Sequence, residues 1–456
     1  MAPFQTRRKR RSVMAAPAMP EAGRLGHARV LRIAGPIVVS NATIPILGAV
    51  DTGVVGQLGA AAPIGAVGLG AIILSAVYWV FGFLRMGTAG MTAQARGAGD
   101  AAEVAALLSR ALIVAGIAGL AVVAARPLLV AGAFALAPAS DEVEALARAY
   151  IGIRIWSAPA AIAVYGLTGW LIAQERTRAV LILQVGMNGI NILLDLIFVL
   201  GFGWGVEGVA LATFLAEWTG AGIGLWFCRD ALRARAARDW PRVFDRARVL
   251  RMAAVNRDIL IRSVLLQAMF VSFLFLAADF GDVPLAANQV LLQFLYVTAY
   301  ALDGFAFAAE ALVGQAQGAR ARRALRRAAL LTGVWGFGAG AVLAAGFAVA
   351  GPAIIDLMAT APEVRAAARA FLPWMVAVPV IGAAAWMLDG VFIGATRTVD
   401  MRNMMLVSMA VYAAAAAILV PAFGNHGLWA AFLIGFAARG VTLAVRYPAL
   451  ERAADP

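Results

Sequence analysis

Apolar runs of about twenty residues recur along the chain between short polar stretches. Twelve can be counted, the first over 34–58 and the last over 427–446. At 1.5 Å of rise per residue, about twenty helical residues cross a hydrocarbon layer of roughly 30 Å. The pattern therefore predicts an all-α polytopic membrane protein with twelve transmembrane helices. The second half repeats the first. Thr92-Ala93-Gln94-Ala95 returns as Val313-Gly314-Gln315-Ala316, and Leu171 to Thr177 returns as Phe392 to Thr398, both 221 positions on. Gly205-Val206-Glu207-Gly208 returns as Gly424-Asn425-His426-Gly427 after 219 positions. A nearly constant offset at three places marks an internal duplication: two six-helix bundles of like orientation around a central cleft, which suits alternating access. The organisation expected is a basic tail (1–32), an N-terminal lobe (33–228), a linker (229–255), a C-terminal lobe (256–446) and a short tail (447–456).

Composition points the same way, because a chain that is 62% hydrophobic and 14% charged exposes too much apolar surface for a soluble protein. The net charge of +13 does not call for nucleic acid. It sits in arginine runs between spans, at 7–32, 229–251 and 320–327, with Arg176, Arg178, Arg397 and Arg402 on the same side. The positive-inside rule makes that side, and both termini, cytoplasmic. A single lysine, Lys9, excludes a phosphate-binding G-x-x-x-x-G-K-[ST] loop. The one cysteine, Cys228, excludes an intrachain disulfide, and two histidines, His27 and His426, are too few for a histidine-rich metal site. We expect no metal, no cofactor and no enzymatic activity, since no nucleophile with a base is available within the spans.

The chemistry gathers in the first lobe. Asp51 lies inside an apolar span, and an ionisable group at that depth marks an ion or substrate path. Gln184, Asn188, Asn191 and Asp195 are spaced 4, 3 and 4, one face of a helix, and Thr213 and Glu217 share another. Asp51, Asp195 and Thr213 each lie six or seven residues from the outer end of their spans, about 10 Å deep at 1.5 Å per residue. Two carboxylates at one depth hold a proton or a small cation between them, and the spacing does not choose H+ or Na+. Gln184, Asn188 and Glu217 extend the polar stripe toward a possible substrate. Pro45, one and a half turns before Asp51, permits a bend in the first helix. These positions have no counterparts in the second half. That half instead carries Asp303, Glu310 and Asp389, nearer the cytoplasmic side and expected, with Arg85 of the second span, to pair as a gate.

Six stretches carry a resemblance: Pro45 to Gly56 (PILGAVDTGVVG), Phe83 to Gln94, Gly169 to Arg176, Asn256 to Arg262, Leu302 to Gly314 and Leu388 to Arg402. Together they resemble the multidrug and toxic compound extrusion (MATE) family in its DinF-like branch. The resemblance implies a twelve-helix exporter of cationic or amphipathic small molecules, driven by inward proton or sodium flow. It implies a monomer surrounded by lipid in the bacterial inner membrane. It also implies that Asp51, Asn191, Asp195 and Thr213 bind the coupling cation, and that protonation bends the first helix near Pro45. One departure is Leu47, where some relatives carry a polar residue or a tyrosine. The alternative is a flippase for lipid-linked saccharides within the same superfamily. It would line the cleft with several cations for pyrophosphate, whereas Arg85 is read as the only arginine well inside the first lobe.

Overall fold

The computed structural model describes residues 25–57, 60–136 and 139–455, with the side chains of residues 46, 49, 51, 52 and 136 outside the described set. Among the described residues the chain is helical almost throughout and has no strand. The first lobe holds α1 (His27–Gly56), α2 (Ala61–Gly97), α3 (Ala101–Ala124), α4 (Asp141–Ala173), α5 (Thr177–Gly201) and α6 (Gly205–Arg233). The second holds α7 (Arg246–Ala278), α8 (Asp282–Gly318), α9 (Arg322–Met358) and α10 (Pro362–Gly394), followed by the helical stretch Thr398–Arg452. That stretch divides at Gly424, whose φ of 56° breaks the helix into α11 (398–423) and α12 (425–452). Gly205, which opens α6, takes the same φ of 56°. A left-handed turn at both places suits a residue without Cβ, and it repeats the predicted duplication in backbone geometry.

The helices overrun the apolar windows, and this shifts four boundaries. The linker is far shorter than 229–255: α6 continues to Arg233 and α7 begins at Arg246, so only residues 234–245 connect the lobes, with short turns at Arg235–Arg238 and Trp240–Val243. Arginine, alanine and leucine are strong helix formers, and hydropathy marks where lipid ends rather than where a helix ends. For the same reason residues 27–32 belong to α1 and residues 447–452 to α12, not to tails. The apolar stretch that follows α2 forms two helices, Ala101–Ala124 and Arg126–Leu136, because Pro127 cannot donate into the preceding ladder.

Inside each lobe one crossing is unusually close, and it is the same crossing. A Cβ built on Gly169 of α4 would lie 2.2 Å from the main-chain oxygen of Arg85 in α2, and one on Gly390 of α10 would lie 2.4 Å from that of Ala306 in α8. Both residues of the second pair are 221 positions beyond those of the first. The second lobe adds a buried aromatic cluster in which Phe273 packs on Trp429 and on Phe432, with ring centroids 4.8 Å apart in both pairs. Helix α1 runs unbroken through Pro36 and Pro45.

Candidate functional site

A chamber of about 420 Å³ opens within the first lobe, walled by α1, α2, α4, α5 and α6. Asn188 and Asn191 reach it from α5, Thr213 and Glu217 from α6. The Asn191 amide donates to the Thr213 hydroxyl at 3.4 Å, and that hydroxyl donates to the Val209 carbonyl at 3.1 Å, so the polar stripe of α5 touches α6 here. Asn188 donates to Thr43 of α1 at 2.8 Å, and Gln184 donates to Asn188 at 3.1 Å without itself lining the chamber. Asp195 is fully buried one turn beyond Asn191, where the α-helix passes into the π-helical turns Leu196–Gly201. A π segment adds a residue to the turn and re-aims its neighbours, a distortion common at functional sites. Leu47, Gly48 and Val55 of α1 line the chamber; the side chain of Asp51 between them lies outside the described residues.

Glu217 has a partner that the sequence reading missed. Arg154 of α4 bonds it at 3.1 Å, and the Ser157 hydroxyl donates to its other oxygen. Arg154 also donates to the Tyr150 hydroxyl at 3.0 Å. Because α4 begins at Asp141, Arg154 lies well within the helix, and Arg85 is therefore not the only arginine inside this lobe. The available signal was the lone arginine of the apolar run Tyr150 to Ala158 together with an otherwise uncompensated Glu217.

A second cavity, about 280 Å³, lies where α2 meets the second lobe. Arg85 bonds Glu310 of α8 across the lobes at 3.0 Å and stacks over Phe307 at 3.9 Å. Asp389 of α10 accepts from both Arg262 of α7 and Arg439 of α12. Asp303 of α8 also faces this space. The four charges expected near a gate are thus gathered in one place. Arg262 and Arg439, given no role beforehand, complete the set.

Beyond that cavity, at the arginine-rich end, the lobes seal against each other by a reciprocal contact. Gln94 of α2 donates to the Gly394 carbonyl at 3.2 Å and to Thr396 at 2.9 Å; Gln315 of α8 donates to the Ala173 carbonyl at 3.1 Å and to Glu175 at 3.0 Å. Every residue of the second set is 221 positions from its equivalent in the first. Glu175 and Thr396 both hold positive φ, 57° and 49°, a strain that persists where the surroundings over-determine it. A Cβ on Gly97 would meet the Gln315 main-chain oxygen at 1.9 Å, and one on Gly318 the Gln94 oxygen at 1.9 Å. Further along α1, Asn41 donates to the Tyr300 carbonyl of the other lobe at 3.0 Å.

Arg29 fastens the seal by bonding Glu175 at 2.6 Å. Burial pushes the Glu175 carboxyl up, but the hydrogen bonds and charge of Arg29 outweigh it and hold the group below its ordinary value of 4.5. A carboxylate held low in the folded state stabilises above its ordinary value, and the contribution is lost as pH falls through the lowered one. Melting curves should therefore show wild-type stability declining below pH 4.5, with Glu175→Gln less stable at neutral pH and flatter through that window.

Paired lobes, a polar chamber inside one and a reciprocal seal between them at the arginine-rich end are the frame of a polytopic membrane transporter. The MatE family model matches residues 36–197 and again residues 259–419, once in each lobe. The chain is 39% identical to the DNA damage-inducible protein F of Escherichia coli K12, over 90% of both chains, and 26% identical to the chloroplastic Protein DETOXIFICATION 44 of Arabidopsis thaliana, over 94% of this chain and 83% of that one. Its fold is that of the Vibrio cholerae MATE transporter VcmN in the bent form, with a TM-score of 0.83 at 19% identity over 94% and 97% of the two chains. The chain belongs to the MATE family of multidrug efflux transporters, in its DinF-like branch.

Proposed function

We propose that the chain is a secondary active antiporter that exports cationic or amphipathic organic compounds against an inward flow of protons or sodium ions. It acts as a monomer in a bacterial inner membrane, with the arginine-rich end and both termini cytoplasmic. The observation that carries this reading is the meeting of Asn191 and Thr213 in a chamber lined on its α1 side by Gly48 and Val55, the residues that flank Asp51. In this reading Asp51 and Asp195 exchange the cation, Asn191 and Thr213 complete its oxygen shell, and the unbroken α1 seen here bends near Pro45 in another state of the cycle. The arginine-rich seal closes the path behind the departing compound. A pyrophosphate flippase gains little support, since Arg85, Arg262 and Arg439 are matched by Asp303, Glu310 and Asp389 in the same cavity.

The test is dye efflux from reconstituted vesicles under separately imposed proton and sodium gradients. One gradient should drive efflux, and Asp51→Asn should abolish it while the protein still melts cooperatively. Efflux that ignores both gradients would overturn the antiport reading.

A further inference from the structure

The reciprocal seal departs from symmetry at one charge. On one side Arg29 of α1 bonds both Gln315, at 3.1 Å, and the Glu175 carboxylate, at 2.6 Å. On the other side Arg251 of α7, 222 positions beyond Arg29, donates to Gln94 at 3.0 Å. The carboxylate does not recur, because Thr396 stands 221 positions beyond Glu175. Arg251 thus repeats its counterpart's contact with glutamine and lacks the anion that completes it. Beside it opens a cavity of about 530 Å³ lined by Arg110, Arg248, Arg251 and Arg320 and by two carboxylates, Asp100 and Glu103. Both carboxylates are already matched. Arg110 bonds Glu103 at 2.7 Å, Arg248 bonds it as well, and Arg242 bonds Asp100 at 3.2 Å. Nearby Asp239 and Asp245 face Arg242 and Arg248, each at 3.8 Å. Among the described residues Arg251 has no carboxylate partner, and the Arg320 side chain has neither a hydrogen bond nor an ion pair. Arg320 also holds a φ of 50° where its repeat counterpart is Gly99, a backbone cost that concentrates at functional sites.

We infer that this cavity is a binding site for a phosphate group, held by Arg251 and Arg320 where the repeat has lost a carboxylate. Two surplus guanidiniums call for a doubly charged oxyanion, and their planar forks match phosphate oxygens. The group arrives as the headgroup of an anionic lipid or as a soluble phosphate. Gln94 and Arg110 belong to the first lobe, Arg251 and Arg320 to the second, so the cavity is complete only while the lobes are sealed. A ligand that binds one state better shifts the population toward it, and phosphate therefore holds the arginine-rich end closed. Neither arginine lines the polar chamber or the 280 Å³ cavity, so the site stands or falls apart from the export reading.

The experiment follows the melting temperature of the full-length chain in phosphatidylcholine nanodiscs as potassium phosphate is titrated against potassium chloride of equal ionic strength. A saturable rise with phosphate alone is expected, since a ligand of the folded state stabilises it by mass action. Arg251→Gln and Arg320→Gln should each raise the half-saturating concentration about tenfold, the size of one charge-assisted contact. Arg323→Gln removes the same charge from an exposed position outside the cavity and should leave the response as it was. Thr396→Glu restores the missing carboxylate, at a φ of 49° close to the 57° of Glu175, and should abolish the response. Phosphatidylglycerol nanodiscs without phosphate separate the two sources. Stabilisation there that depends on Arg251 and Arg320 assigns the site to a lipid headgroup, and a response confined to the phosphate titration assigns it to a soluble phosphate. No saturable stabilisation from either source, an equal weakening by Arg323→Gln, or a Thr396→Glu protein that responds like the wild type would overturn the inference.

Discussion

Gly97→Ala is expected to open the arginine-rich face. The added methyl would lie 1.9 Å from the Gln315 main-chain oxygen, far inside any tolerated contact. Its neighbour is helix backbone, so no side-chain rotation relieves the overlap, and the lobes must separate instead. Overpacking of this kind costs about 1–3 kcal/mol. Charged wholly to the sealed state, that shifts a two-state equilibrium about 5- to 150-fold toward the open one. Gly318→Ala should act alike, because its methyl would meet the Gln94 oxygen at the same 1.9 Å. Gly116, with nothing within 4 Å, supplies the control for helix propensity. A cysteine at position 396 in a Cys228→Ser background reports the outcome through its reaction with an impermeant maleimide. The seal is misread if labelling in the Gly97→Ala protein is as slow as in Gly116→Ala.

Arg154→Met should be among the most destabilising single changes in the first lobe. It leaves Glu217 mostly buried without its cationic partner, beside Ser157 and the chamber. Breaking a buried pair in this way costs about 3–5 kcal/mol, whereas replacing both partners is often close to neutral. The double variant Arg154→Met with Glu217→Gln should therefore recover most of the loss, and a double-mutant cycle on thermal unfolding measures the coupling. If the two single losses simply add, the pair does not hold the lobe together. Efflux kinetics of the double variant then separate packing from substrate contact, since Glu217 also faces the chamber.

Hydropathy revealed the twelve spans because lipid imposes a length of about twenty apolar residues on each. Helical spacing put Asn188 and Asn191 on one face of α5, and both reach the chamber that Thr213 lines from α6. Neither signal could reveal Arg154, Arg262 or Arg439 as members of clusters. A lone arginine in an apolar run announces a partner but not which of several helices supplies it. The seal was half visible: Gln94 and Gln315 stood out as repeat equivalents, but an offset says nothing about contact. That each one reaches the other lobe's turn follows only from how the bundles face each other. Gly97 and Gly318 were hidden among 47 glycines, most of which need no explanation.

The reciprocal contact of Gln94 and Gln315 has the character of an isologous interface, in which one patch meets a copy of itself about a two-fold axis. Each side of such a surface supplies both the donor and the acceptor that the other needs. Residues 234–245 then serve as stoichiometric glue, guaranteeing one of each partner at the seam. Cutting the chain there and co-expressing the fragments should return an assembled carrier. The two fragments remain free to diverge everywhere except along the line where each must still recognise its twin.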